Sequence, residues 1–251
     1  MPASDNRIRA ATEPPPARPD RVSRMRDVAV VVGVLALINV LSHFTFDHAI
    51  TLFVPLGAIG LLIYARWRGF GWDELGLARS QHRKGLRWAA AILIPVAVIA
   101  IGGALLPWTR SLYLSDHYDS VSVALWGALV IIPLQTVIPE ELLFRGVLNA
   151  ALVRVASVRV VYLAGAGLFG LWHVSSSLGL TAGNDGLTDL LGSGLFAQIA
   201  GVAGAVIVTG VSGLIFIWLR RRSDSLLAPM AFHWAVNGTG ALGAALAWQL
   251  Q

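Results

Sequence analysis

The sequence predicts an all-α polytopic transmembrane helix bundle of about seven spans, and three observations predict it. Hydrophobic residues make up 56% of the 251 and charged residues only 13%, with a mean hydropathy of +0.68, whereas soluble domains average about 25% charged. The apolar residues fall in stretches near the roughly 20 residues that a helix needs to cross the hydrocarbon core. The basic residues collect in every second connection between those stretches.

Residues 1–27 are polar and Arg-rich and carry Pro14, Pro15, Pro16 and Pro19. They lack the apolar core and small-residue cleavage site of a signal peptide, so they read as a disordered basic cytoplasmic tail. Residues 28–251 read as a single transmembrane helical domain, with spans at roughly 28–46, 50–67, 87–107, 121–145 or beyond, 159–178, 196–219 and 225–248. Asp47-His48-Ala49 separates the first two and makes a tight helical hairpin. Between the second and third, Phe70-Gly71-Trp72-Asp73-Glu74 suits a short interfacial helix with aromatics at headgroup level. An eighth, re-entrant or interfacial element is compatible with the same pattern. Pro133 and Pro139 are expected to kink span four. Gly201, Gly204, Gly238 and Gly240 are expected to let helices approach closely.

Charge sets orientation. Arg and Lys cluster in the tail, at 66–87, around Arg154 and Arg159, and at Arg220-Arg221-Arg222, while the other connections carry only Arg110 together with aspartates. That alternation places the N-terminus in the cytoplasm and the 179–195 segment outside. The net charge of +5 therefore reads as topology signal and not as a nucleic-acid footprint, because no basic amphipathic face is present. Cysteine is absent, which removes thiol nucleophiles, thiolate metal sites and disulfides.

Within the spans polar residues are few. Glu140-Glu141 lies in an apolar stretch, where an acid costs about 2.5 to 3.5 kcal/mol at mid-bilayer and so faces a polar cavity or a partner. Residues four apart share a helix face, which pairs Glu141 with Arg145, sets Phe169 one turn from His173, and presents His233 with Asn237. Glu140 points about 100° away from Glu141 and is free for a different task. One arginine cannot neutralise two acids, which argues against an ion pair that only fixes packing. At about 1.5 Å per residue, Glu140, His173 and His233 lie roughly 21, 21 and 17 Å from Arg154, Arg159 and Arg222, comparable depths on three helices.

A shielded carboxylate with an imidazole in reach can deprotonate water, and a second imidazole with an amide can stabilise an oxyanion. The pattern permits amide hydrolysis. No His-Glu-x-x-His motif is present, and Ser175-Ser176-Ser177 lacks a nucleophile elbow and reads as polar packing. No cofactor is expected. Were zinc bound, Glu140, His173 and His233 are the ligand set, since Asn237 suits hydrogen bonding better. Trp172 and Trp234, each beside a motif histidine, read as packing.

Glu140-Glu141-x-x-x-Arg145, Phe169-x-x-x-His173 and His233-x-x-x-Asn237, in that order on successive spans, resemble the CPBP family of CAAX proteases and bacteriocin-processing enzymes (Abi), which includes type II CAAX prenyl endopeptidases. The resembling core runs over about 121–240. The resemblance implies a glutamate-dependent intramembrane endopeptidase acting on a membrane-associated protein or peptide. It implies that Glu140 and His173 activate water, that His233 and Asn237 form an oxyanion hole, and that Glu141, Arg145 and Phe169 support the site. The Arg- and Ala-rich composition and short loops suit a bacterial plasma membrane. The rival function class is a non-proteolytic membrane protein, either a proton-coupled transporter using Glu140 or a bacteriocin-immunity-type scaffold.

Overall fold

The computed structural model describes residues 20–178, 192 and 194–251. Among them every regular element is helical. Seven helices of 15 or more residues follow one another: α1 (Arg21–Phe44), α2 (Ile50–Trp67), α3 (Arg79–Leu105), α4 (Val121–Val153), α5 (Val158–Trp172), α6 (Leu195–Ser223) and α7 (Leu227–Gln249). α1 to α4 and α6 are long and apolar enough to cross a bilayer. Large apolar side chains such as Ile63, Ile207 and Val208 point outward from them, as a lipid-facing surface requires.

α1 begins seven residues before its expected start because Asp20 caps it, its carboxylate accepting from the Ser23 amide at 2.7 Å. Residues 21–27 are therefore helix and not tail; residues 1–19 lie outside the described residues. Asp27 also falls within α1, 1% exposed, and accepts from Arg68 at 2.6 Å and the Tyr64 hydroxyl at 2.8 Å. Glu140 and Glu141 are thus not the only acids inside a helix. The expected external loop at 179–195 lies almost wholly outside the described residues.

The α2–α3 connection is a chain of turns in place of an interfacial helix. Gly69 and Gly76 have φ of +75° and +77°, which interrupts any helix there. Phe70 and Leu75 are buried in the core, and the Arg154 guanidinium lies 3.5 Å over the Phe70 ring. Only Trp72 of the expected aromatics stays half exposed.

α4 carries the acidic pair and is wound unevenly. It is π-helical over Gly127–Val137 and Leu142–Leu148, with one α turn at Ile138–Glu141 between them. Proline lacks an amide donor and clashes with the turn before it, and the wider π winding absorbs both Pro133 and Pro139: the Ile138 amide reaches back to the Pro133 carbonyl.

α5 is shorter than its expected span. Its 15 residues reach about 22 Å, and His173 caps its C-terminus instead of sitting mid-helix. Ser176 and Ser177 then donate to the His173 carbonyl at 3.2 and 2.5 Å, satisfying a helix-end acceptor.

Helix packing gathers these pieces. α7 lies along α3 and α4, α6 along α5, and α1 along α2. The close approach between α5 and α6 is made by Gly170 and Gly213. A Cβ at Gly170 would come 2.7 Å from the Val206 carbonyl, and one at Gly213 3.0 Å from the Ala166 backbone. Three of the glycines expected in that role behave differently: Gly204 and Gly240 have nothing within 4 Å, and the nearest atoms to a Cβ at Gly238 belong to Trp234 of its own helix.

Candidate functional site

The α turn of α4 places Glu140 and Glu141 inside the bundle, 7% and 0% exposed. Arg145 follows at i+4, 1% exposed, with Nη1 donating to Glu141 Oε1 at 3.3 Å. Its guanidinium lies 3.9 Å from the Phe169 ring centroid and 4.3 Å from that of Phe216. Such cation–π contacts help a desolvated guanidinium.

His233 enters from α7. Its Nδ1 lies 2.9 Å from Glu141 Oε1, and its ring stacks on Phe216 at 5.1 Å. A carboxylate only accepts, so Nδ1 carries the proton and Nε2 is turned toward Glu140. His233 Nε2 and Glu140 Oε2 are 3.9 Å apart, too far for a direct hydrogen bond. Glu140 Oε2 has no partner among the described residues. The other oxygen, Oε1, accepts from the Trp172 indole at 3.2 Å.

His173 stands at the end of α5, half-buried. Its Nδ1 lies 2.8 Å from the Phe169 carbonyl, which again fixes the proton on Nδ1 and leaves Nε2 as an acceptor in the neutral ring. Phe169 lies against both imidazoles, with ring centroids 4.7 Å from His173 and 6.3 Å from His233. Among the described residues no hydrogen bond or ion pair joins His173 to Glu140, or Asn237 to any motif residue. Asn237 is half-buried one turn beyond His233. Direct contacts thus assemble Glu140, Glu141, Arg145, Phe169 and His233, with His173 and Asn237 beside them.

Two residues of the assembly escaped sequence reading. Trp172, read as packing, bonds to Glu140, and a tryptophan beside a motif histidine could have signalled this, because a buried indole N–H needs an acceptor. Phe216 is one apolar residue among many in α6 and carried no signal. Behind Trp172 stands Asn39 of α1, whose Nδ2 donates to the Trp172 carbonyl at 2.8 Å while its Oδ1 accepts from Ser175 at 2.8 Å.

A zinc set of Glu140, His173 and His233 is not drawn together: among the described residues no three His, Cys, Asp or Glu side chains converge as metal ligands.

No curated protein and no solved structure matches the chain. One family model does, described as type II CAAX prenyl endopeptidase Rce1-like, over residues 122–239. That stretch runs from the start of α4 into α7 and holds all three motifs. Residues 122–239, a little under half of the chain, are thus similar to the Rce1-like type II CAAX prenyl endopeptidases, and the apolar helices that carry them mark an integral membrane protein.

Proposed function

We propose that the protein is a CPBP-type intramembrane endopeptidase that hydrolyses a peptide bond of a membrane-associated protein or peptide with water activated by Glu140. The observation that carries this reading is the 3.9 Å separation of Glu140 Oε2 and His233 Nε2 inside a buried cluster. A gap of that size between two polar groups suits a bridging water.

Charge balance supports the roles. With Nδ1 donating to Glu141, a proton on Nε2 makes His233 a cation, and two carboxylates, Arg145 and His233 then sum to zero, as a poorly solvated cluster favours. Water bound at Glu140 Oε2 gives up a proton to it, and the hydroxide attacks the substrate carbonyl carbon. His173 Nε2 orients that water. The oxyanion receives hydrogen bonds from His233 Nε2 and the Asn237 amide. Collapse breaks the C–N bond, and the proton on Glu140 passes to the leaving amine. Glu141 and Arg145 hold His233 in place, and Trp172 holds Glu140.

A groove of about 290 Å³ between α1 and α5 has Trp172 and Phe144 in its lining. It suits an apolar substrate segment arriving from the lipid beside Glu140. The basic connections support a cytoplasmic N-terminus, and the composition suits a bacterial plasma membrane.

The test uses purified full-length protein in liposomes, with membrane-anchored peptides and heavy-oxygen water. Cleavage that places one heavy oxygen in the new carboxylate supports the reading. Peptides left intact while a proton gradient is dissipated would support the transporter class instead.

A further inference from the structure

A second polar chamber lies at the Arg-rich end of the bundle, sharing no side chain with the Glu140 cluster. It encloses about 300 Å³ between the 69–78 turns, the end of α6 and the α4 residue Asn149. Nine residues separate Asn149 from Glu140, roughly 13 Å along a helix.

Its floor is Arg220, 6% exposed. Nη2 donates to the Glu74 carbonyl at 2.8 Å, but Nε has no partner, and no carboxylate pairs with this guanidinium among the described residues. Of the three acids in the lining, Glu74 is engaged by Arg154 at 2.7 Å and Asp224 by Lys84 at 2.6 Å, and Asp73 makes no ion pair with Arg220. The loop is shaped around the guanidinium, since a Cβ at Gly76 would come 2.7 Å from it. A buried, unpaired cation is costly and calls for an anion. Across the chamber Asn149, also 6% exposed, has an Oδ1 without a donor.

We propose that this chamber binds a phosphate ester that carries its own hydroxyl or ammonium group. The phosphate takes the guanidinium of Arg220 and the exposed guanidinium of Arg221, because guanidinium donors match phosphate oxygens in pairs. The hydroxyl or ammonium donates to Asn149 Oδ1. Position favours this chemistry as well: the chamber lies where the basic connections collect, the level of phospholipid headgroups. A headgroup and a soluble phosphate ester share it, and the experiment separates them.

Full-length protein purified in delipidating detergent is titrated with short-chain phosphatidylethanolamine, phosphatidylglycerol, the matching diacylglycerol and glycerophosphate, reading thermal unfolding. The expected result is a saturable rise in Tm with the phospholipids and none with diacylglycerol. Affinity is expected to weaken at least tenfold in Arg220→Gln and measurably in Asn149→Asp and Arg221→Gln, the last on the exposed rim where folding is not at stake. Saturation by glycerophosphate at equal affinity identifies a soluble ester, and saturation by phospholipid alone identifies a headgroup. Equal shifts with diacylglycerol, or unchanged affinity in all three variants, would overturn the proposal. Because the readout is binding, its failure is independent of the peptidase reading.

Discussion

Trp172 donates its indole proton to Glu140 Oε1 at 3.2 Å, so one oxygen of the buried carboxylate is engaged and the other faces His233. The pairing crosses from α5 to α4 and makes Trp172 a positioning residue. Trp172→Phe keeps a ring and removes the donor. A lost hydrogen bond to a buried carboxylate is worth about 1.5 to 3 kcal/mol, so kcat on a cleavable peptide is expected to fall at least about tenfold with KM little changed. An unaltered kcat would return Trp172 to a packing role.

Arg145 supplies the ion pair to Glu141, and removing it leaves that fully buried carboxylate without its arginine partner. Breaking a buried ion pair from one side costs about 3 to 5 kcal/mol. Arg145→Met is expected to unfold at markedly lower temperature in detergent, and Glu141→Gln with Arg145→Met together to recover part of the loss. The double variant compared with the two single ones measures the coupling.

Outside the spans, Glu74 and Arg154 make the pH-dependent contact. Hydrogen bonds from Arg154, and then from the Gly71 amide, hold the Glu74 carboxyl below its ordinary 4.5. A carboxyl lowered in the folded state stabilises fully above its unfolded pKa and loses that contribution as pH falls through the folded value. The pair is partly exposed, so the effect is below about 1 kcal/mol. Melting curves from pH 7 to pH 3 are expected to converge for wild type and Glu74→Gln at the acidic end and to separate above about pH 5. Parallel curves throughout would refute the linkage.

The α5–α6 contact is equally testable. At Gly170 an added side chain meets the Val206 carbonyl, a backbone atom that cannot swing aside. Gly170→Val is expected to destabilise by about 1 to 3 kcal/mol and to lower activity, since the same helix carries Trp172 and His173. Gly240→Ala, with open space around it, is expected to leave the melting temperature within a degree or so of wild type.

Patterns that depend on charge were legible in the sequence. The helices lie close to their expected positions because Arg clusters and turn residues punctuate apolar runs, and the spacing of Glu141 and Arg145 was enough to pair them. What escaped depends on which apolar residue faces which neighbour. A helix that is hydrophobic all round has no face that marks its partner, so Phe216 beneath His233 and Gly170 against Val206 could not be distinguished from lipid-facing positions. Helix ends were obscured for a related reason: Val174 and Leu178 continue the apolar run, while the serines turn the chain at His173. Asn39 lies outside the recognised core, and only tertiary contact connects it to Trp172.

In the proposed mechanism Glu140, and not Glu141, takes the proton from water. Initial rates of peptide cleavage in liposomes by wild type, Glu140→Gln and Glu140→Asp test it most directly. A loss of about a thousandfold in kcat is expected for Glu140→Gln, within the range of general-base catalysis, with partial activity for Glu140→Asp and a retained melting temperature in both. Turnover by folded Glu140→Gln within about twofold of wild type, less than 0.5 kcal/mol in the barrier, would contradict it.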